Sequence, residues 1–325
     1  MTPRRTRIAC FGEALIDFLA KPTDGVDTPR AFHQFAGGAP ANVAVGLGRL
    51  GVRVGLMTLV GPDEFGRFVR DRLASEGVDT SGIGTHPRAK TGVTFVSVAA
   101  HGERSFLFFR HPSADQQITA DDVDPARVVR ARVLHLGSST LSREPARGAT
   151  RKALAAARAA GMLVSTDPNL RMHLWDDPEE ARAMTRELVA GSDLVKVSED
   201  ELGPIVGVEE AVAGARALRA LGAKLAIVTL GPRGSYYDGP AGAGTVPAAA
   251  QVDVVDSTGA GDAFVAGVLA RLAPALRAGH GVADLDEAEV RAACALGNRM
   301  GACAVTRMGA TAGLPPRGTV SVDDA

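Results

Sequence analysis

The sequence predicts an α/β protein with a mostly parallel central sheet, helices on both faces and a small β-sheet lid. Short apolar runs alternate along the chain with longer segments of helical character, which is the pattern of parallel strands joined by crossover helices. Two strand-like segments, 92–99 and 104–110, interrupt that alternation. They are separated by His101-Gly102-Glu103, which favours a hairpin, so we expect a second, smaller sheet.

The first third of the chain supplies strands to both sheets. Apolar patterning predicts central strands at 7–11 and 53–60 and helices at 41–50 and 64–75. Strand-like segments outside this alternation are assigned to the lid over a site: they lie near 13–20, 31–37 and 92–111.

From residue 121 onward the alternation of strand and helix resumes. We expect strands at 133–136, 162–166, 194–197 and 225–229, and helices at 145–160, 178–190, 199–206, 209–221, 260–278 and 285–304. The Ala- and Gly-rich segment 239–250 is predicted to be loop and turn, and the tail from Leu314 to be frayed. Since no internal repeat is found, 1–325 is predicted to be a single domain.

The composition excludes several classes of protein. The 36 basic and 37 acidic residues give a formal net charge of −1, so no nucleic-acid or membrane-surface partner is expected. The chain has three cysteines and no Cys-x-x-Cys pair, which indicates small core residues in a reducing cytoplasm. No apolar run approaches the roughly 20 residues needed to cross a bilayer. We therefore expect a soluble, cytoplasmic protein.

The segment from Asp256 to Asp262 carries the strongest chemical signal. An apolar strand end runs into two glycines and then a long apolar helix. The amides of Gly259, Ala260 and Gly261 would lie at the helix N-terminus, where anions are favoured, and Asp262 would project beside them. By itself this pattern also fits a helix N-cap after a glycine turn.

Backbone amides beside a carboxylate meet the two requirements of phosphoryl transfer. The charge on the transferring group must be stabilised, and the attacking hydroxyl must be oriented and lose its proton. The amides serve the first need and Asp262, as a general base, the second. A free Asp titrates near about 3.9, so Asp262 is expected to accept a hydrogen bond from the hydroxyl and take the proton late.

A second glycine motif lies near the N-terminus. Gly37 and Gly38 precede a helix, and Asn42 is one turn inside it. Because Asn is a poor helix former, its side chain is expected to face a polar ligand or, alternatively, solvent.

These two motifs, in this order, resemble those of the ribokinase-like (PfkB) carbohydrate kinases. Gly37-Gly38-x-x-x-Asn42, with the spaced glycines Gly51 and Gly61, is similar to the family's N-terminal signature, and Asp256 to Asp262 to its C-terminal one. The resemblance extends over nearly the whole chain. It implies the ribokinase-like three-layer fold and ATP-dependent phosphorylation of a sugar hydroxyl.

The resemblance also implies roles for individual residues. Asp262 matches the catalytic base, and the anion hole matches Gly259, Ala260 and Gly261. Positions that bind the sugar hydroxyls match Asp17, Gly37, Gly38 and Asn42. The nucleotide loop matches Thr229, Gly231 and Gly234, and a position near the adenine matches Asn298.

One departure from the family pattern follows the strand near Leu194. The family commonly has Asn-x-x-Glu there, whereas this chain has Ser198 and Glu201. The resemblance implies that Glu201 organises Mg²⁺ through water and places Ser198 on the cofactor side. The alternative for Glu201 is an ordinary acidic residue in a first helical turn. The implied cofactors are ATP and Mg²⁺, and activation by a monovalent cation such as K⁺ is left open.

Three segments narrow the choice of sugar substrate. Residues 12–17, 106–115 and 167–175 are similar to the fructokinase branch, which implies fructose as the substrate and adds Phe108, Arg110 and Arg171 to its site. The related 2-keto-3-deoxygluconate kinases share parts of these patterns, and there similar arginines meet the carboxylate of the acid. Family members often dimerise through the lid, so a homodimer through it is also left open.

Two further alternatives lie outside the sugar kinases. A nucleoside kinase of the same fold would need a stacking pocket, although aromatic residues make up only 4% of the chain. A catalytically silent sugar-binding protein would have no need of Asp262. The G-x-G-x-x-G sequence from Gly46 to Gly51 lies within or at the end of a helix, so it is interpreted as small-residue packing rather than a dinucleotide site.

Overall fold

The structure is a computed structural model that describes residues 7–20, 31–98, 104–109, 112–249 and 251–322. The strands of this part of the chain are β1 Arg7–Phe11, β2 Leu15–Ala20, β3 Phe32–Gly37, β4 Arg53–Val60, β5 Ile83–Thr85, β6 Val93–Val98, β7 Arg104–Phe109, β8 Val133–Leu136, β9 Leu163–Thr166, β10 Leu194–Ser198, β11 Leu225–Thr229, β12 Ser235–Gly239 and β13 Gly242–Val246. The helices are α1 Ala39–Arg49, α2 Glu64–Ser75, α3 Pro125–Val128, α4 Ala146–Ala159, α5 Pro178–Ala190, α6 Glu199–Val206, α7 Ala211–Leu221, α8 Ala260–Ala278 and α9 Glu287–Ala304.

Nine strands form the central sheet, in the order β13-β12-β11-β10-β9-β8-β1-β4-β5. Neighbours from β11 to β5 pair in parallel, and only β12 runs against its neighbours. The chain passes from β1 to β4 on one side and later to β8 on the other. The strand order therefore reverses at β1, where open α/β sheets form a crevice at the carboxyl ends of their strands. The predicted mostly parallel sheet is confirmed.

Both faces of the central sheet are covered, as the apolar runs require. In β1, Ile8 and Cys10 belong to a core shared with α1, α8 and α9, whereas Ala9 and Phe11 belong to a core shared with α4, α5 and α7. Successive side chains of a strand point to opposite faces, so a strand that is buried on both faces is apolar throughout. The three-layer prediction is confirmed.

Close helix packing accounts for the glycine pattern of α1. A Cβ built on Gly46 would lie 2.6 Å from Cβ of Ala266 in α8, and one built on Gly48 would lie 2.3 Å from the carbonyl oxygen of Glu76. Gly51 follows the helix with a φ of 76°. These contacts support the packing interpretation of the sequence from Gly46 to Gly51.

The remaining four strands form a separate sheet in the order β3-β2-β6-β7. These are the segments that the sequence assigned to a lid. Aromatic rings join the strands to each other and to α2: Phe18 stacks on Phe95 at 5.0 Å and meets the edge of Phe65 at 5.8 Å. The turn predicted at residues 101–103 lies outside the described residues.

The structure differs from the predictions at β5, β12 and β13 and in the tail. The segment predicted as loop at 239–250 contains β13, and neither β5 nor β12 was expected. Glycine-rich β13 lacks the apolar pattern of a strand and is ordered by antiparallel pairing with β12. The tail is not frayed as far as residue 322: Leu314 is buried in the core, and Arg49 Nη1 donates to its carbonyl oxygen over 2.8 Å.

The cysteines fit the expectation of core residues. Cys10 and Cys294 are buried, Cys303 is partly buried, and all three are free thiols. Within the part of the chain that the structure describes, none of the helices combines the length and apolarity needed to span a bilayer.

Candidate active site

The two glycine motifs meet at the carboxyl edge of the central sheet. The N-termini of α1 and α8 lie beside the ends of β9, β10 and β11, around a cavity of about 710 Å³. Both motifs contribute to its wall, although they are far apart in the sequence. The fold therefore builds a single polar site from segments that only the tertiary structure brings together.

The N-terminus of α8, where the sequence predicts an anion site, lines the cavity. Gly259 has a left-handed φ of 77°, and a Cβ at this position would lie 2.6 Å from Ala310, so only glycine fits. No described side chain caps this helix end, and its first residues, Gly259, Ala260 and Gly261, line the cavity. The amide of Ala260 donates a long hydrogen bond of 3.4 Å to the carbonyl oxygen of Ser257. Asp256 instead holds the preceding turn, accepting hydrogen bonds from Thr258 and from the amide of Gly309.

Asp262 lies in the first turn of α8 and is not its N-cap. Its carboxylate is buried, and Oδ2 accepts a 2.8 Å hydrogen bond from Nδ2 of Asn42 in α1. Burial, reinforced by the negative charge of Asp167, raises the pKa of Asp262 to about 7. The Asn42 hydrogen bond, Lys196 and Arg171 oppose this shift. A carboxylate with a pKa near neutrality is well matched to general-base catalysis.

Glycines at the start of α1 allow polar groups to approach closely. A Cβ on Gly37 would lie 2.0 Å from Oδ2 of Asp17, and Gly38, with a φ of 104°, faces the carbonyl oxygen of Glu13. Asp17, Gly38 and Asn42 line the cavity, and Gly37 packs against Asp17. The Asn42 side chain therefore faces the site rather than solvent.

Sequence reasoning missed two residues at this end of the site. Glu13 Oε1 accepts a 3.1 Å hydrogen bond from the amide of Ala39, and its Oε2 accepts one from Ser139 Oγ. Both side chains line the cavity. A charged residue directly after the buried first strand was the available signal for Glu13, whereas Ser139 follows β8 in an unremarkable polar stretch.

The ends of β9 and β10 add charged groups. Arg171 lines the cavity and lies within electrostatic reach of Asp262. Lys196 and Asp167, which the sequence analysis did not assign to the site, form a buried ion pair of 2.9 Å on the same wall. A lysine inside the apolar segment 194–197 was the signal for this pair. Asn169, also on the wall, takes a left-handed φ of 45°, which Asn tolerates better than most residues.

Ser198 and Glu201 form a capping box at the start of α6. Glu201 Oε2 accepts hydrogen bonds of 2.8 Å from both the amide and the hydroxyl of Ser198, and Oε1 accepts one of 2.7 Å from the amide of Leu170. Both residues line the cavity. In the described ranges no group of three or more His, Cys, Asp or Glu side chains converges as a metal site.

A second cavity of about 770 Å³ adjoins the first and shares Thr229, Gly231 and Gly261 with it. Its remaining wall is mostly apolar and includes Pro247, Val252, Val254, Phe264 and Val305. Gly234 and Asn298 lie on the same wall. This shape suits a flat apolar ring with a polar tail that reaches the N-terminus of α8.

The structure gives clear physical reasons for Gly234, predicted in the nucleotide loop, and for Asn298, predicted near the adenine. A Cβ on Gly234, which has a φ of 95°, would lie 2.2 Å from the carbonyl oxygen of Val246. Asn298 Nδ2 donates to the carbonyl oxygens of Val246 and Pro247 over 3.1 and 3.0 Å. Asn298 thus fixes the wall of the second cavity.

The structure brings most of the predicted site residues to these two cavities, with three exceptions. Gly37 packs against Asp17 and lines neither cavity, and the other two residues belong to the predicted lid. Phe108 is described only through its backbone, which pairs with Thr94, a residue of the first cavity. Arg110 lies outside the described residues. Their predicted contacts with substrate therefore remain predictions.

Comparison with known proteins agrees with this geometry. A family model described as pfkB family carbohydrate kinase matches residues 5–317. The probable fructokinase-7 of Arabidopsis thaliana is 41% identical over 317 residues, covering 95% of this chain and 90% of that protein.

Solved structures with the same fold include sugar kinases with bound ligands. The fructokinase of Xylella fastidiosa with bound ATP is 37% identical, with a TM-score of 0.86 and 95% coverage of both chains. A double mutant of the fructokinase of Vibrio cholerae O395, with fructose, ADP and a potassium ion, is 34% identical with a TM-score of 0.83 and 97% coverage of both chains. The aminoimidazole riboside kinase of Salmonella enterica, with aminoimidazole riboside and an ATP analogue, is 31% identical with a TM-score of 0.83, covering 96% of this chain and 97% of that one.

The family model spans almost the entire sequence, and the Arabidopsis relative exceeds 40% identity over nearly its full length. Together with the sheet order and the paired glycine motifs, these matches show that the chain belongs to the pfkB family of carbohydrate kinases.

Proposed function

We propose that this kinase transfers the γ-phosphoryl group of ATP to a hydroxyl of fructose. The observation that carries the proposal is the position of Asp262, buried beside the open N-terminus of α8 where the two cavities join. A sugar in the first cavity and a nucleotide in the second would meet at this point. The names of the fructokinase relatives support fructose as the sugar.

Asp262 is the proposed general base. Its carboxylate would orient the attacking hydroxyl and accept the proton as the sugar oxygen forms its bond to the γ-phosphorus. The bond between that phosphorus and the bridging oxygen breaks, and the electron pair leaves with ADP. The amides of Gly259, Ala260 and Gly261 would donate hydrogen bonds to the transferring group, whose negative charge is also favoured by the helix N-terminus.

The remaining residues are proposed to bind the two substrates. Asp17, Asn42, Arg171 and the glycine backbone at Gly37 and Gly38 would satisfy the sugar hydroxyls, because each buried hydroxyl needs a partner. Phe108 and Arg110 are proposed for the same site from the sequence alone. On the nucleotide side, the proposed residues are Ser198, Thr229, Gly231, Gly234 and Asn298.

The residues around Glu201 fit a hydrated Mg²⁺ rather than a protein-caged one. Both oxygens of Glu201 already accept backbone or hydroxyl hydrogen bonds, so contact through water is the expected mode. Mg²⁺ commonly keeps several waters and is held largely by substrate phosphates. Bound in this way with ATP, it would neutralise charge on the phosphates. A cytoplasmic location is part of the same proposal, whereas activation by K⁺ and a homodimer through the lid stay open.

The first cavity favours a sugar over a nucleoside. None of its described lining residues is aromatic, and its apolar members are aliphatic, such as Leu15, Val96 and Leu174. Among these described residues a base would meet no ring to stack on, whereas carboxylate, amide and backbone groups suit hydroxyls. The acid 2-keto-3-deoxygluconate is the second candidate, because Arg171 can pair with a carboxylate.

A substrate panel will test the proposed function. The purified protein is assayed with MgATP by coupled ADP release against fructose, 2-keto-3-deoxygluconate, ribose and adenosine. We expect the highest kcat/KM with fructose. A higher value with the acid or with adenosine would assign the site to those substrates instead, and an absence of turnover with all four would contradict the kinase role.

The pH dependence of the reaction will report on Asp262. Because the base must be ionised and its pKa is raised to about 7, kcat/KM for fructose should fall as pH decreases through about 7. With an unperturbed Asp, kcat/KM would stay unchanged down to a far lower pH. The measurement is kcat/KM for fructose at saturating MgATP from about pH 5 to about pH 9, which extends roughly two units on either side of the pKa of Asp262. A flat profile down to the acid end would contradict the raised pKa.

A further inference from the structure

A buried ion pair lies next to Gly261, in the first turn of α8, and has no part in the roles assigned so far. Lys196 Nζ lies 2.9 Å from Oδ2 of Asp167, and their side chains are only 6% and 4% exposed. Removing two charges from water is costly, and such pairs often add little net stability. A buried pair on the wall of a reaction cavity therefore calls for a functional explanation.

The pair is in contact with the proposed anion hole. A Cβ built on Gly261 would lie 2.6 Å from Lys196 Nζ and 3.6 Å from Asp167 Oδ2. Gly261 thus lacks a side chain where the ammonium group approaches the backbone of α8. The positive charge of Lys196 consequently lies next to Gly261, on the wall of the same cavity as the residues whose amides would receive the transferring phosphoryl group.

Charged and titratable side chains from several neighbouring strands and helices surround the pair. Lys196, on β10, faces Asp167 after β9, Glu201 on α6 and Asp262 on α8. Burial by itself would lower the pKa of Lys196, but these three carboxylates raise it, so the lysine remains a cation. His135 on β8 has a pKa lowered to about 3 by burial and by Lys196, so it is neutral in the working range.

Asp262 has its own set of neighbours. It faces Asp167, Lys196 and Arg171, and it is hydrogen-bonded to the uncharged Asn42 on α1. Glu13 and Asp17 line the same cavity from the side of the lid. Asp167 and Lys196 therefore act on Asp262 in opposite directions, one disfavouring and one favouring its ionised form.

We propose that Lys196 and Asp167 are a charge pair that positions and tunes the reaction centre. In this proposal, which rests on the proposed kinase function, the Lys196 ammonium keeps Asp262 ionised and offsets negative charge on the phosphoryl group. Asp167 holds the Lys196 ammonium group next to Gly261 and limits the effect of its positive charge on Asp262. Both are positioning residues, because each acts through Asp262 or through the amides of α8.

The pH profiles of two single variants provide the test. Lys196→Met removes the cation, so the acid limb of kcat/KM for fructose should move to higher pH by about one unit, with kcat lower by about 10²-fold. Asp167→Asn removes a negative neighbour, so its acid limb should move to lower pH. Shifts in opposite directions are the expected result, and unchanged or parallel shifts would overturn the proposal.

Variants of matched chemistry separate this role from a structural one. Lys224→Met removes an ion pair of 2.8 Å with Asp193 at the opposite edge of the same sheet, and it should leave the profile unchanged. Lys196→Arg keeps the charge and should retain the wild-type acid limb. If Lys196→Met fails to fold, the double variant Lys196→Met/Asp167→Asn removes both charges, and its acid limb should lie between those expected for the two single variants.

A second measurement does not depend on turnover. The thermal stability of each protein is compared, across the same pH range, with that of the same protein carrying Asp262→Asn, and the pH dependence of the difference reports the pKa of Asp262. The pH midpoint of this dependence, which equals the pKa of Asp262 in the folded protein, should rise with Lys196→Met and fall with Asp167→Asn. If the wild type phosphorylates nothing in the substrate panel, the proposed function fails, whereas an unmoved midpoint refutes the charge pair alone.

Discussion

Asp262→Asn will lower kcat with fructose by about 10²–10⁴-fold while fructose still binds. The substitution keeps the size and a hydrogen-bonding oxygen of the side chain, and it removes the negative charge and with it the capacity to accept the proton. Because the Asn42 amide can still donate to the new side chain, the α1–α8 contact should persist. The measurements are kcat from initial rates and fructose affinity from calorimetry.

The stability of this variant provides the control for correct folding. The pKa of Asp262 is raised from 3.8 to about 7 in the folded protein, so its contribution to stability is present below the unfolded pKa and is lost as pH rises through the folded one. Wild type should therefore lose stability relative to Asp262→Asn as pH increases from about 4 to about 7, by roughly 1.4 kcal/mol per pH unit. Wild-type activity in the variant, or a stability difference between the two proteins that does not change between about pH 4 and pH 7, would contradict the assigned role and environment of Asp262.

Gly259→Ala is expected to reduce kcat by about 10²-fold or more, because it disturbs the amides at the start of α8. Gly259 has a φ of 77°, and the new Cβ would lie 2.6 Å from both the Cβ and the carbonyl oxygen of Ala310. The backbone must move to relieve this contact, and the donors would then miss the transferring group. The measurement is kcat at saturating fructose and MgATP.

The other end of the same helix supplies a matched control. Gly279 is also left-handed, with a φ of 99°, but its nearest neighbour would be Arg132 Nη2 at 3.7 Å. Gly279→Ala should cost about 1–2 kcal/mol of stability through backbone strain without lowering kcat. Equal losses of activity in the two variants would show that the effect of Gly259→Ala comes from general strain and not from the anion site.

Much of the fold could be predicted because its signals are local. The apolar runs at 7–11, 53–60 and 225–229 predicted central strands, since a strand covered on both faces must be apolar throughout. The elements that were missed are those whose order comes from their neighbours. β13 is glycine-rich and pairs with β12, and the tail at Leu314 is held by Arg49 from α1.

The candidate site divides in the same way. The glycine motifs that end in Asp262 and Asn42 are contiguous in sequence and were assigned to the site from it. Lys196, Asp167 and Glu13 were missed, because one charged residue in a strand or at its end does not reveal which partner it meets. Their importance became evident only when β1, β9, β10 and α8 were seen around a single cavity.

Local residue patterns were enough to identify the family, the parallel α/β fold and the carboxylate at the start of α8. These follow from residue patterns within short segments, where backbone geometry is set locally. The burial of Asp262, its hydrogen bond to Asn42, its nearness to the Asp167–Lys196 pair and the rise of its pKa to about 7 emerge only once the chain is folded. Desolvation and charge–charge interactions act through space, so they depend on contacts between segments far apart along the chain.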